Sequence, residues 1–372
     1  MKFKTVSMLC LTLLLLGAFL FSEVKNPDKP LKGDWDLKLK EVMRIEDAGG
    51  DVLAKPRHLM VADDGSIYLY DNKTLKFYLF SKEGKFVKTF APKGEGPGEL
   101  KRFIDAFLVG DKLVVVDAYE IEYLSKDGTF IRKVQNDFSQ RLPSHFFNED
   151  EIISFPILRY NDPQEQGKIL RSNLKTNQES VLVEFELYEG GVVRKAEIVM
   201  GVLVPGLTPQ LIVRFEADRF YYGRNDSYQI IVADYNGKEI NRFSVARKKG
   251  KAPEEEKQGF FKERPIPPEM IPTLLESVPN DYTYFSLIRI YNNLIYVYDS
   301  NLDRKLKSQQ VDIFSLEGKY LYQAVLRPPE GFNIVSAIAP LVAIKGGYLY
   351  MVLVGDDGKV AIVKYEATLP SA

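Results

Sequence analysis

Cysteine, histidine and tryptophan are almost missing from this 372-residue chain, which holds one cysteine, two histidines and one tryptophan. The lone Cys10 excludes a disulfide framework, and its place inside an apolar run is wrong for a lipid-modified N-terminus. His58 and His145 are too few for a three-histidine catalytic zinc site. No H-E-x-x-H and no G-x-S-x-G occurs, so zincin and serine-hydrolase chemistries lack their usual parts. Excess charge of one sign is missing too: 50 basic against 51 acidic side chains leave a net charge of −1, without the footprint of a nucleic-acid or anionic-membrane partner. The apolar run at residues 8–21, MLCLTLLLLGAFLF, is 14 long, short for a bilayer span and right for a signal-peptide core behind the basic Met1-Lys2-Phe3-Lys4. The expectation is an extracytoplasmic (periplasmic or secreted) protein. Residues 1–22 are then a signal peptide or an uncleaved anchor, which would be the chain's only tie to a membrane.

Strand formers are what the chain has in quantity, with 21 Tyr and 23 Phe inside a hydrophobic content of 45%. Their arrangement is clearest in residues 56–100. His58 to Ala62 is a short apolar run, Asp63-Asp64-Gly65 a tight-turn signal, and Ile67 to Asp71 a second strand. Lys76 to Ser81 alternates, Lys82-Glu83-Gly84 turns the chain, and Lys85 to Phe90 completes a four-stranded unit that leaves through Gly94-x-Gly96-Pro97-Gly98.

The unit recurs over residues 104–134, with Lys126-Asp127-Gly128 where Lys82-Glu83-Gly84 stood, so the turn glycines are 44 positions apart. Four strands per period of this length predict a propeller, because one small sheet cannot bury both faces and needs a neighbour on each side. The template continues through residues 145–185, where Lys175-Thr176-Asn177-Gln178 replaces the turn glycine, then 210–245 and 283–326. A sixth unit, 337–366, is one strand short. Trp35 to Ile45 supplies the missing strand from the other end and closes the ring, covering sheet edges that would otherwise be unpaired. The predicted fold is all-β: residues 23–372 form a six-bladed β-propeller of four-stranded antiparallel blades, with an insertion at about 248–280. That insertion is charged, then proline-rich, then helical in pattern at Met270, Leu274 and Leu275.

Asp64-Gly65-Ser66-Ile67-Tyr68-Leu69-Tyr70-Asp71-Asn72, the Phe77 to Phe80 run, Lys82-Glu83-Gly84-Lys85-Phe86 and Gly94-x-Gly96-Pro97-Gly98-Glu99-Leu100 resemble the NHL-type repeat and its related secreted six-bladed β-propeller families. The resemblance implies the fold and leaves activity open, since propellers carry many unrelated functions. Zinc-dependent amidating lyases share this propeller, and the histidine count parts the chain from them.

Three patterns carry a structural reading beside a chemical one. The glycine loop at residues 94–98 superficially suggests a phosphate cradle, but a strand rather than a helix follows it and Pro97 removes a donor. Asp299-x-Asn301-x-Asp303 has calcium-loop spacing, yet Arg304 stands at the turn position and Gln310 where a bidentate Glu is needed. Asp71, Asp117 and Asp299 recur at the ends of second strands, where they are expected to accept backbone hydrogen bonds at a corner.

In a propeller the entries of the innermost strands surround the central channel. By the repeat register these hold Arg57 and His58, Phe103 and Asp105, His145, Gln210, Phe285 and Ser286, and Ala339 and Pro340. One acid among them suits no hard cation, so no metal and no cofactor is expected. The set reads as a polar pocket for a protein, peptide or glycan ligand of a non-enzymatic binding or scaffold protein, with no catalytic residue assigned. The alternative is a metal-assisted, lactonase-like hydrolase or lyase in the channel, with Asp105, His58 and His145 as acid–base groups.

Overall fold

Alternating hydrophobic segments separated by turn residues fold into six large antiparallel sheets, and the strand order repeats from sheet to sheet. A computed structural model describes residues 23–135, 141–156, 166–186, 192–195, 198–201, 203–216, 218–262, 266–303, 308–335 and 341–371. Two strands, β1 (Val24–Asn26) and β2 (Leu39–Ile45), precede the first full sheet. That sheet, blade 1, is β3 (Pro56–Val61), β4 (Ile67–Asp71), β5 (Lys76–Phe80) and β6 (Phe86–Phe90), paired in sequence order from the innermost strand outward. Blade 2 repeats it with β7 (Phe103–Val109), β8 (Lys112–Asp117), β9 (Glu120–Ser125) and β10 (Phe130–Gln135). Blade 3 is β11 (Arg141–Phe146), β12 (Glu151–Pro156), β13 (Gly167–Asn173) and β14 (Glu179–Phe185).

A small hairpin, β15 (Val192–Lys195) with β16 (Ile198–Gly201), intervenes before blade 4, which is β17 (Leu211–Glu216), β18 (Arg219–Arg224), β19 (Gln229–Asp234) and β20 (Glu239–Val245). Blade 5 is β21 (Phe285–Tyr291), β22 (Leu294–Asp303), β23 (Ser308–Ser315) and β24 (Tyr320–Leu326). In blade 6, β25 (Phe332–Ile334) and β26 (Val342–Lys345) share the inner position beside β27 (Tyr348–Gly355), followed by β28 (Val360–Ala367) and, outermost, β2. The molecule is a six-bladed β-propeller, as the repeat predicted.

Turn chemistry explains the regularity of the outer hairpins. Gly84, Gly128, Gly237 and Gly318 all take positive φ between the third and fourth strands, and in blade 3 Asn177 does the same work at φ 54°. Asparagine tolerates the left-handed conformation, so the missing glycine leaves the hairpin intact. The inter-blade core is aromatic: Phe77 stacks on Phe90 at 5.2 Å, and Tyr70 on Phe103 of the next blade at 3.9 Å. The corner carboxylates accept backbone N–H groups as expected. Asp71 takes Ala54, Lys55 and Lys73 N–H at 2.9, 2.8 and 2.7 Å, and Asp117 takes Arg102 N–H at 2.9 Å.

Ring closure is more extended than the single borrowed strand of the sequence reading. β1 runs parallel to β20 on the outer edge of blade 4. The chain then follows β24 of blade 5, with Leu31, Lys32 and Trp35 N–H donating to the Tyr320, Leu321 and Gln323 carbonyls at 2.9, 2.8 and 2.6 Å. Only from Leu39 does it pair with β28 of blade 6. One segment thus belts three consecutive blades, and Trp35 belongs to the blade 5 edge, where its ring meets Tyr322 edge-on at 5.0 Å.

Between blades 4 and 5 the chain leaves the ring as α1 (Glu254–Lys262) and α2 (Ile271–Ser277). Ala252 N–H donates to Asn280 C=O at 2.8 Å where the excursion closes. Phe261, Leu274 and Val278 bury against Val204 and Leu207 from the linker before blade 4. The charged stretch at Glu254 is helical because three glutamates occupy the favourable N-terminal turn while Phe260 and Phe261 supply an apolar face.

Candidate functional site

The six inner strands enclose a central channel of about 840 Å³. Counting back from each inner hairpin turn, the third cross-strand pair brings one residue per blade to the same rung: Met60, Phe107, His145, Arg214, Arg289 and Ala343 for blades 1 to 6. All six line the channel. The rung is therefore divided, with His145, Arg214 and Arg289 on blades 3 to 5 and Ala343, Met60 and Phe107 on blades 6, 1 and 2.

Arg214 pairs with Glu216 on its own strand at 2.7 Å. Arg289 has no carboxylate within ion-pair distance among the described residues, and its one hydrogen bond goes to the Ile288 carbonyl at 3.3 Å. Its side chain is half-buried, with part of its surface open on the channel. Desolvation, followed by the charge of Arg214, pulls its pKa down to about 10, against the weaker upward pull of Glu216 and Asp105. Lys345, two rungs nearer the hairpin turns, is held by Asp63 at 2.5 Å.

Blades 1 and 2 bring His58 and Asp105 together, with Nδ1 3.2 Å from Oδ1. Asp105 Oδ1 also accepts Ala106 N–H at 2.9 Å. Burial depresses the imidazole pKa, and Asp105 only partly restores it. Nε2, the atom a general base would present to a substrate, is sealed from solvent and has no hydrogen-bond partner among the described residues. His145 lies two blades away in an aromatic setting, stacked on Phe215 at 5.0 Å and edge-on to Phe147 at 5.0 Å, with the Tyr235 hydroxyl 3.5 Å from Nε2. Burial, then Arg214, lowers it to about 4, so it is neutral at physiological pH.

The remaining sequence candidates fall outside the channel lining. Phe103 and Phe285 are 3% and 0% exposed and pack between blades. Arg57 is exposed, lies over the Phe103 ring at 5.5 Å and donates to Ile104 C=O at 3.3 Å. Gln210 precedes β17, its N–H donated to Asn225 Oδ1 at 2.7 Å, and Ser286 Oγ lies 3.4 Å from the Asp299 carbonyl. Ala339 and Pro340 lie outside the described residues, as do Arg304 and Cys10.

In blades 1, 2, 3 and 5 the inner strand carries a β-bulge on entry, at Arg57, Ile104, Ser144 and Ser286, and Phe103 and Phe285, ahead of it, turn into the inter-blade core; blade 4 has no bulge, and Gln210 precedes its strand. Arg214 and Arg289, the cations missed, stand mid-strand in LIVRFE and FSLIRIY. A charge inside an apolar inner strand, counted back from the hairpin turn, is the signal that marks them.

The glycine loop does hold an anion, which is its own. Glu99 Oε2 accepts Glu95 and Gly96 N–H at 3.0 and 2.9 Å, and a Cβ on Gly94 would lie 2.0 Å from that oxygen. The nest is filled from within the chain. Asp299 to Asp303 is part of β22, paired through Leu302 and Asp303 to β23.

A family model, DUF5128, described as a 6-bladed beta-propeller, matches residues 50–200. No curated protein sequence matches the chain. Among solved structures, a Bacteroides fragilis protein assigned as exported is 10% identical, with a TM-score of 0.57, over 94% of this chain and 100% of its own. A Bacteroides vulgatus member of the duf4221 family is 12% identical, with a TM-score of 0.56, over 90% of this chain and 99% of its own. At these identities the likeness is one of fold.

Proposed function

We propose that this is an exported binding protein that takes a ligand, a peptide, a glycan or a segment of a protein, into the central channel of its propeller. The observation that carries the reading is an open channel whose one histidine–carboxylate contact has its outer nitrogen sealed. A channel of about 840 Å³ accommodates a small ligand. His58 Nε2 cannot reach one placed there. Export is supported by the basic start and the apolar run at residues 8–21. No helix among the described residues is long and apolar enough to cross a membrane.

The second reading, a hydrolase or lyase, draws on the 3.2 Å contact between His58 and Asp105. A thermal-shift screen of the chain from Glu23 onward, against glycans, peptides, lactones, calcium and chelator, separates the two. Binding predicts a raised melting temperature with no turnover, abolished by Ala343→Trp, which fills the channel. Lactone turnover that disappears in Asp105→Ala would establish the enzyme instead.

A further inference from the structure

The divided rung of the channel bears on the chemistry of that ligand. Guanidinium groups withdrawn from bulk water are ordinarily matched by carboxylates, because an unpaired charge in a low-dielectric site is costly. Arg214 follows this rule through Glu216, and Arg289, among the described residues, does not. The nearest channel acid on the far side, Asp105, is engaged by His58 and Ala106 N–H and lies three blades away, across the ring. Arg214 and Arg289 share one rung on adjacent blades, so their repulsion adds to the desolvation of Arg289. Opposite them, Met60, Phe107 and Ala343 give an apolar wall with no side-chain hydrogen-bond donor.

We propose that the channel binds a small organic carboxylate, its oxygens on the guanidinium of Arg289 with Arg214 beside it and its carbon body against Met60, Phe107 and Ala343. A planar guanidinium fork matches a carboxylate in a bidentate manner, and the apolar half of the ring suits an organic body better than a fully polar oxyanion. A carboxylate brings one negative charge to the Arg289 guanidinium, which has no ion-pair partner among the described residues, whereas a phosphate dianion brings two. The inference deepens the binding reading and rests on it.

Propionate, propionamide and inorganic phosphate are the probes, titrated at constant ionic strength into the chain from Glu23 onward. The Nε–Hε resonance of Arg289, identified by its disappearance in Arg289→Gln, is expected to shift saturably with propionate and to stay put with propionamide. Propionate is also expected to raise the melting temperature of the parent and of Lys82→Gln, a surface control, but not of Arg289→Gln. Arg289→Lys, which keeps the charge and loses the fork, is expected to bind several-fold more weakly. A resonance that ignores propionate, or answers propionamide or added chloride equally, overturns the proposal. So does a propionate stabilisation that survives in Arg289→Gln, and a stronger response to phosphate assigns the site to that anion instead. Neutral glycans that stabilise the protein until Ala343→Trp blocks them, while propionate does nothing, would leave the channel as a binding site and remove only its preference for carboxylates.

Discussion

Arg247, under the N-terminal belt at the rim of blades 4 and 5, and Arg289, in the channel, are both guanidiniums held away from bulk water, and the protein serves them in opposite ways. Arg247 donates to Asp312 Oδ2 at 2.6 Å, to Asp28 Oδ1 at 2.7 Å and to the Tyr320 hydroxyl at 3.1 Å, with the Tyr228 ring 5.3 Å from its carbon. Asp312 in turn accepts from Tyr228, Tyr320 and Gln310. Burial lowers the pKa of Arg247, but Asp312, Tyr228 and Asp28 together more than offset it and the net direction is upward. For Arg289 burial wins and the direction is downward. A complete network of this kind locks structure; an incomplete one in an open channel leaves a place for something else.

Breaking the complete network should have the largest effect. Asp312→Ala strands Arg247, Tyr228 and Tyr320 in a buried site, and urea denaturation is expected to show a loss of about 3–5 kcal/mol. Arg289→Met, by contrast, removes a charge with no ion-pair partner among the described residues, so its stability is expected within about 1 kcal/mol of the parent, on the stable side. Equal losses in the two variants would mean that the channel arginine is paired after all.

Next in size is the belt. The buried Asn26 side chain donates to the Ser244 and Gly318 carbonyls at 3.0 and 2.9 Å and accepts Tyr320 N–H at 2.9 Å, tying β1 to blades 4 and 5. Asn26→Ala is expected to cost about 2 kcal/mol in the same assay, because three backbone groups lose their partner. A change too small to measure would show that belt and ring are energetically independent.

The smallest effect is one of pH and belongs to the channel. His145, lowered to about 4, binds fewer protons folded than unfolded at every pH from there up to its ordinary value of 6.5. Stability therefore falls as pH drops through that window, and His145→Phe is expected to flatten the fall by about 1 kcal/mol at pH 5, with little difference at pH 7.5. Glu122 works the other way. Burial lifts it to about 7, so the folded state binds more protons than the unfolded state above pH 4.5, and stability falls as pH rises through that interval. Thermal melts of His145→Phe and Glu122→Gln across pH 5 to 8 should diverge in opposite directions from the parent.

How far the site was legible follows from where each signal is stored. Asn177 could be read as a turn residue in place of glycine because the left-handed conformation is a property of that residue and its neighbours. His58 and Asp105 lie in the channel lining, each following the bulge of its own strand. Phe103 precedes its bulge and turned into the core. Arg214 and Arg289 escaped notice because only the strand entries were taken as channel residues, and both stand mid-strand, where the register is set from the hairpin turn.

The sequence by itself determined the number of blades, the approximate span of most strands, the turns between them and the use of an N-terminal strand to close the ring. Alternation and turn-forming residues act over a few positions, so they survive in a one-dimensional reading. Tertiary structure decided which inner-strand residues face the channel, that the belt covers three blades, and that Arg247 is paired with Asp312, 65 positions away, while Arg289 is not. Those outcomes depend on how blades pack and on which charges that packing brings within reach. No local pattern carries that information, because the energy of a charged group is set by the neighbours that surround it in space.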